Sequence, residues 1–391
     1  MGFTGKLLRL PNDERNPMNP QELFCPMIAC PARGQTGKGN IHVHSLKDKR
    51  CICDVCGQTF TTTKGTIFYR LRTNPEIVMC VIVLLAYGCP IQAIVKAFLL
   101  DERTVRDWHK RAGQHCQQVH EHLVASSQHD LEQVQADEIK AKTQKGTLWM
   151  AFAIWVPTRL WMGGVVSPKR DMDLIQSLAD KVRQMALCRP LLLAADGLAS
   201  YVSAFRKAFR SKFPRQAAET GRCKLISWPH IYIVQVVKQR VEGILNVERR
   251  IVQGTKEVVE SLIQKTQGAG LINTAFIERL NATFRQRLSP LARRSRHVAQ
   301  QAETLVAGMY LVGCFYNFSD YHHSLRLKLS VGSFGYRWVQ PTPAILAKLT
   351  DHPWTPAELF DFKVPPPRWT MPSQRGRPSA TMLNLAQLWA S

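Results

Sequence analysis

Two aspartates set in apolar, strand-like runs constrain this chain more than any other feature. Asp137 stands in Val-Gln-Ala-Asp-Glu-Ile (134–139), and Asp196 closes Leu-Leu-Leu-Ala-Ala-Asp just before Gly197. An unpaired carboxylate is costly to desolvate, so each must meet a compensating partner, and a divalent cation is the natural one. An acid delivered at a strand's carboxyl end also lies where the ligand sites of α/β sheets gather.

The apolar pattern around these acids resolves into elements. Runs at 148–156 and 160–166, separated by Pro157 and Thr158, follow the Asp137 strand and predict a three-stranded antiparallel meander. Residues 171–187 predict a helix, because Leu174, Ile175, Leu178, Val182, Met185 and Ala186 recur at helical spacing. Asp171 and Asp173 belong to its start, where carboxylates meet the positive end of the dipole. A short strand at 190–195 delivers Asp196, and a basic helix follows at 201–209. Residues 224–237 alternate like strands and 241–252 carry further apolar residues, so an insertion or an extension of the sheet is expected at about 212–270.

A third acid, Glu278, sits on a helix whose Ile277, Leu280, Phe284 and Leu288 form one apolar stripe. Asn281 and Arg285, three and seven residues on, are expected on the Glu278 side rather than in the buried stripe. A carboxylate, an amide and a guanidinium on one face suit a site that holds metal and phosphate together. Glu138, beside Asp137, points to the opposite side of its strand and is the weaker ligand.

The segment Asn-Thr-Ala-Phe-Ile-Glu-Arg-Leu-Asn (273–281), with Arg285 and the basic tail Leu291-Ala292-Arg293-Arg294, resembles the last catalytic block of DDE transposases of bacterial insertion sequences. Asp137 in Ala-Asp-Glu and Asp196 in Ala-Asp-Gly look like the earlier members of that triad. Together with the amino-terminal modules described below, the resemblance covers roughly residues 20–320. It implies an α/β, RNase H-like mixed sheet with flanking helices, preceded by a small zinc ribbon and a helical helix-turn-helix domain. It also implies a DNA transposase in which Asp137, Asp196 and Glu278 hold two magnesium ions, with manganese able to substitute, while Asn281 and Arg285 position the scissile phosphate. Water would cut at an element end, and the freed 3′-hydroxyl would then attack target DNA. The implied partners are double-stranded DNA, as element ends and as target, and further copies of the chain, at least a dimer. The implied setting is the bacterial cytoplasm, in association with the nucleoid. One departure is the long stretch between Asp196 and Glu278. Two other readings use the same modules: a sequence-specific DNA-binding regulator with a degenerate second half, and an RNase H-like structure-specific nuclease that cuts without joining.

Charge agrees with a polyanionic partner. The 391 residues carry a formal net charge of +23, with a dense cluster at Arg285, Arg287, Arg293, Arg294 and Arg296, which favours nucleic acid over a membrane surface. The first residues have no apolar central region, and the apolar stretch 77–95 is broken by Gly88, Pro90 and Gln92, so it reads as two buried helices. Eleven cysteines, an odd number with pairs at metal-like spacing, point to a reducing compartment.

Cys25 and Cys30, then Cys53 and Cys56, form two close pairs, and four soft thiolates suit tetrahedral zinc, whose binding supplies folding energy that a short ribbon lacks. Cys51 competes with Cys53, but only Cys53 makes the two-residue spacing with Cys56; the competing picture is a buried cluster of free thiols. Helices are expected at 75–87, 90–98 and 102–111, the last capped by Asp101. Two short helices, a tight turn and a basic third helix make a helix-turn-helix, with Arg103, Thr104, Arg106 and Lys110 as its DNA-facing residues. His109, His115, His120 and His122 read as exposed side chains of a linker.

A long apolar helix at 299–318, with Leu305, Met309, Val312 and Phe315 at core spacing, should pack behind the sheet. Beyond it the chain turns rich in proline and tryptophan and is expected to wrap over a partner or a protomer. Gln374-Arg375-Gly376-Arg377-Pro378 resembles an AT-hook core, with Arg375 and Arg377 entering a minor groove. The expected domains are therefore a zinc ribbon at 20–70, a helix-turn-helix domain at 71–125, an RNase H-like domain at 130–320 and an extension at 321–391.

Overall fold

The structure, a computed structural model, describes residues 19–144, 146–213, 222–242, 244–268, 270–291, 301–330, 335–367 and 376–390. Arg293, Arg294 and Arg375 lie outside the described residues. The chain divides into two compact units, Met1–Arg72 with Asp361–Ser391, and Thr73–Phe360.

The smaller unit is built on three antiparallel strands in sequential order, β1 (Ile41–Ser45), β2 (Arg50–Cys53) and β3 (Thr59–Thr61). Its core is small: Leu23, Ala32, Ile41 and Phe60 surround buried Cys25, Cys30, Cys51 and Cys53. Of the proline-rich tail, expected to wrap over a partner or a protomer, the stretch around Pro366 lies against the ribbon of its own chain. A Cβ on Gly34, at φ +71°, would fall 2.6 Å from the Pro366 carbonyl oxygen, so that position tolerates no side chain.

The larger unit opens with α1 (Pro75–Ala86), α2 (Ile91–Phe98) and α3 (Glu102–His120). Asn74 caps α1 by accepting the Glu76 N–H at 2.9 Å, and Asp101 caps α3 by accepting the Arg103 N–H at 2.8 Å. Leu99 makes the turn between α2 and α3 in the left-handed region, at φ 53°. Helix α3 does not stop near Arg111 but runs to His120 and continues as a π-helical turn, Glu121–Ala125. The reason is a stripe diluted by polar letters: Val105, Trp108, Ala112, Cys116 and Val119 are all buried on one side. The histidine segment is thus helix rather than linker, and His115 and His120 are buried rather than exposed. His115 Nε2 lies 2.9 Å from the Leu359 carbonyl, and the His120 ring centroid is 4.7 Å from that of Trp161.

The sheet follows: β4 (Gln133–Thr143), β5 (Gly146–Trp155) and β6 (Leu160–Ser167), then α4 (Met172–Met185), β7 (Leu191–Asp196) and α5 (Ala199–Ala208). After a small hairpin, β8 (Arg210–Lys212) with β9 (Leu225–Ser227), come β10 (Ile231–Val241), β11 (Ile244–Gln253), α6 (Lys256–Gln267), α7 (Ala275–Arg287) and α8 (Ala302–Cys314). The six long strands lie in the order β11-β10-β7-β4-β5-β6. β4, β5 and β6 form the expected antiparallel meander, β7 runs parallel to β4, β10 parallel to β7, and β11 antiparallel to β10 at the edge. This mixed α/β sheet with flanking helices is compatible with an RNase H-like fold. The stretch at 224–253 extends the sheet by two strands.

Packing fixes where α7 sits. Phe284 is fully buried, with its ring 4.5 Å from Phe152 on β5 and 5.7 Å from Trp161 on β6. Truncating such a side chain costs about 3–5 kcal/mol, so this contact is a large part of what holds α7 to one face of the sheet. Gly113 of α3 meets α8 so closely that a Cβ would fall 2.4 Å from Ala307 Cα. On the other face, Tyr201 of α5 is wholly buried and reaches β4 through Glu138. The chain ends with a hairpin of β12 (Leu327–Ser330) and β13 (Tyr336–Val339), two short helices, α9 (Pro343–Leu346) and α10 (Pro356–Asp361), and α11 (Ala380–Ala390).

Candidate functional site

The strand register carries the two aspartates to one edge. β4 and β7 pair in parallel from Gln133 with Leu192 to Gln135 with Ala194, and continuing that register sets Asp137 level with Asp196. β10 pairs Val236 with Asp196, so the carboxyl end of β7 lies between the middles of β4 and β10, which run on past it. Glutamines hold the edge together. Gln135 donates to the Asn273 carbonyl at 2.8 Å and accepts the Phe276 and Ile277 N–H groups at 3.0 and 3.1 Å, capping the start of α7 onto β4. Gln235 donates to the Asp196 carbonyl at 3.0 Å. Neither glutamine was singled out from the sequence, where only their place two residues from an acid, or in a strand-like run, marks them.

The acids open on a cavity of about 830 Å³, lined among others by Asp137, Arg170, Asp196, Lys238, Glu278 and Arg285. Carboxylate oxygens of Asp137, Glu138 and Asp196 lie within 4.8 Å of one another. Glu278 lines the same cavity but is not one of these three. Its carboxylate pairs with the Lys238 ammonium and accepts the Thr274 hydroxyl at 2.7 Å. Against burial, which raises its pKa, these two contacts hold Glu278 below the usual carboxylate range.

Asp137 behaves in the opposite way. Burial, and then the neighbouring charges of Glu138 and Asp196, push its pKa up to about 7. The Asn281 amide donates to its Oδ2 at 2.8 Å. Asn281 was expected on the open side of α7, yet it is fully buried, and its own Oδ1 has no hydrogen-bond partner. Glu138 is also more central than its strand position implied. Its side chain is buried, with Oε1 accepting Arg170 Nε at 2.6 Å and Oε2 accepting the Tyr201 hydroxyl at 2.9 Å. Arg170 Nη2 is also 3.5 Å from Asp196 Oδ2. Converging carboxylates, one of them with a strongly raised pKa, and an orphaned buried amide oxygen beside it form a donor set that fits a divalent cation.

In the ribbon, one ligand atom from each of Cys25, Cys30, Cys53 and Cys56 lies within 4.8 Å of the others, with Sγ–Sγ distances of 3.7 Å for Cys25–Cys56 and 3.8 Å for Cys30–Cys53. All four are free thiols. Cys51 is buried on the same strand but stands outside the quartet, in keeping with the two-residue spacing. Burial raises the Cys30 thiol to about 11. For Cys53, burial is outweighed by the Cys56 and Val55 N–H groups and by the Asn40 amide, 3.3 Å from its sulfur, so its pKa falls. The cluster is compatible with zinc.

On α3, Arg103 is exposed and Thr104 half-buried, while Arg106 Nε donates to Glu102 at 2.8 Å and Lys110 pairs with Glu303 of α8 at 3.1 Å. Arg377 is exposed. Among the described residues no helix is long and apolar enough to cross a membrane. Compared with models of known protein families and with curated proteins, the chain matches none of them.

Proposed function

We propose that the chain is a DNA transposase of the insertion-sequence type, cutting and joining DNA by phosphoryl transfer at the carboxylate cleft. The observation that carries this reading is the meeting of Asp137 and Asp196, from separate strands, beside a helix that brings Asn281 onto Asp137 and Glu278 and Arg285 into the same cavity. Asp137, Asp196 and Glu278 would hold magnesium, or manganese in its place, and Glu138 adds negative charge behind them. Bound there, the metal supplies activation of the attacking oxygen and stabilisation of the leaving one. Asn281 orients Asp137 toward the cavity. Arg285 binds the scissile phosphate by charge and holds it in line for attack. Helix α3 presents Arg103 and Thr104 to element-end duplex, with Arg106 and Lys110 adding charge behind them, and Arg377 adds a contact to DNA backbone or minor groove. Zinc in the cysteine quartet supplies the folding energy of the ribbon. At least a dimer assembles on the two element ends.

A strand-transfer assay with labelled end DNA, a plasmid target and magnesium tests this. Joined product is expected from the unsubstituted chain, and Asp196→Asn is expected to lower joining by a factor of about 10³ or more while metal-free DNA affinity stays within about twofold. Binding without cutting would instead make the chain a regulator, and cutting without joining a nuclease.

A further inference from the structure

Among the basic side chains that line the acidic cleft, Arg170 and Lys238 pair with its carboxylates, and these two are held very differently. Arg170 is fixed by Glu138, by Asp196 and by the Trp149 ring, whose centroid is 5.1 Å from its guanidinium carbon. Because the Glu138 side chain is buried and its other oxygen is taken by Tyr201, Arg170 belongs to the framework of the edge. Lys238 has no such frame. It projects from β10 two residues beyond Val236, the last residue paired to β7. Its one ion pair among the described residues is with Glu278, and both side chains remain 42% and 47% exposed. Glu278 keeps a second partner if Lys238 leaves, since the Thr274 hydroxyl donates to the same carboxylate oxygen at 2.7 Å.

A lysine is a compact charge on a flexible four-carbon stem, suited to exchanging one anionic partner for another. The anion within reach on the other side is whatever occupies the cavity that Lys238 and Arg285 both line. We propose that Lys238 is a phosphodiester ligand held in reserve: its ammonium neutralises Glu278 while the cleft lacks a divalent ion, and transfers to a DNA backbone phosphate when an ion takes Glu278. This rests on the proposed cation- and DNA-binding cleft and adds an order to it. Metal and DNA binding become mutually reinforcing through one side chain, and linkage requires the coupling to be reciprocal.

The test uses the full chain with calcium, a hard cation that takes oxygen ligands, on duplex verified by gel to remain uncut. Calcium affinity is read by calorimetry without DNA, and duplex affinity by fluorescence anisotropy with and without calcium. With Lys238→Gln, calcium is expected to bind several-fold tighter, because a competing cation is gone. Duplex affinity is expected to stay within about twofold without calcium and to fall by about tenfold with it. Lys238→Arg keeps the charge and is expected to retain most of the coupling, and unchanged thermal melting of both variants excludes misfolding. Equal loss of DNA affinity with and without calcium, or weaker calcium binding in Lys238→Gln, overturns the role of Lys238 alone. If the unsubstituted chain binds no calcium that Asp137→Asn and Asp196→Asn abolish, the cleft itself is not a cation site and both readings fall.

Discussion

The cysteine quartet of the ribbon and the carboxylate cleft of the larger unit both gather metal-ligating side chains, yet they are built in opposite ways. The quartet comes from two short turns 23 residues apart between Cys30 and Cys53, with one ligand atom from each cysteine within 4.8 Å of the others. Around it there is little else to bury, so the cluster is itself the core. The cleft draws on β4, β7, β10 and α7, stays open, and carries Arg170 and Lys238 among its acids. One site completes a fold, and the other is held by a fold that already has a large core. Such a contrast separates a structural metal, coordinatively closed, from a working one, which must leave room for a reactant.

The sharpest way to break this contrast is to remove a ligand from the closed site. Cys53→Ser is expected to take bound zinc from about one ion per chain to none, measured by atomic absorption, and to abolish hydrogen-exchange protection over 41–61, since such ions contribute on the order of 10 kcal/mol to folding. Cys51→Ser should keep the metal. Loss of zinc with protection intact would make the ribbon's core self-sufficient.

In the open site the same kind of deletion should stabilise. Asp137 is an acid whose folded pKa, about 7, exceeds the ordinary 3.8. The folded chain therefore holds a proton that the unfolded chain releases, and stability falls as pH rises between about 4 and 7. Asp137→Asn, without added divalent ions, is expected to raise unfolding free energy at pH 8 by at most about 4 kcal/mol, with the gain vanishing near pH 4. Denaturant melts at the two pH values measure it. A gain that is the same at both would show that the carboxylate is not desolvated.

A smaller effect is expected from the hinge between sheet and helix. Gln135→Ala leaves the first N–H groups of α7 without their acceptor, at a cost of about 1–3 kcal/mol. It should lower joining more than DNA binding, because α7 carries Glu278 and Asn281. An equal loss in both assays would place the effect in global stability.

The part of this architecture legible in the sequence is the part written in neighbouring residues. The meander was readable from alternation and a proline break, α4 from its spacing and from Asp171, which accepts the Leu174 N–H at 3.1 Å, and the cysteine quartet from two short spacings. Asp137 and Asp196 stood out because each breaks an apolar run. What stayed hidden depends on register between distant strands. Helical spacing set Asn281 beside Glu278 but could not say that this side of α7 turns toward β4 at that height. Pleat alternation put Glu138 on the far face, where it lies against Tyr201, yet the carboxylate still reaches the shared edge because β7 ends at Asp196. Lys238 and Arg170 were two basic residues among 52 until the strands brought them to the acids.

The unbroken course of α3 has a mechanical consequence. Its 19 residues span about 28 Å, from the basic turn at Arg103 to a buried end wedged between Trp161 and Tyr310, with Gly113 interlocked against α8 midway. A rod clamped along its far half cannot swivel independently of the body that holds it. On the reading proposed above, bases gripped at its tip are set at a constant distance and rotational phase from the bond to be cut, so the helix serves as a gauge. Inserting one residue past the tip would turn it by about 100° and present the wrong face to the groove, leaving the chemistry intact but aimed elsewhere.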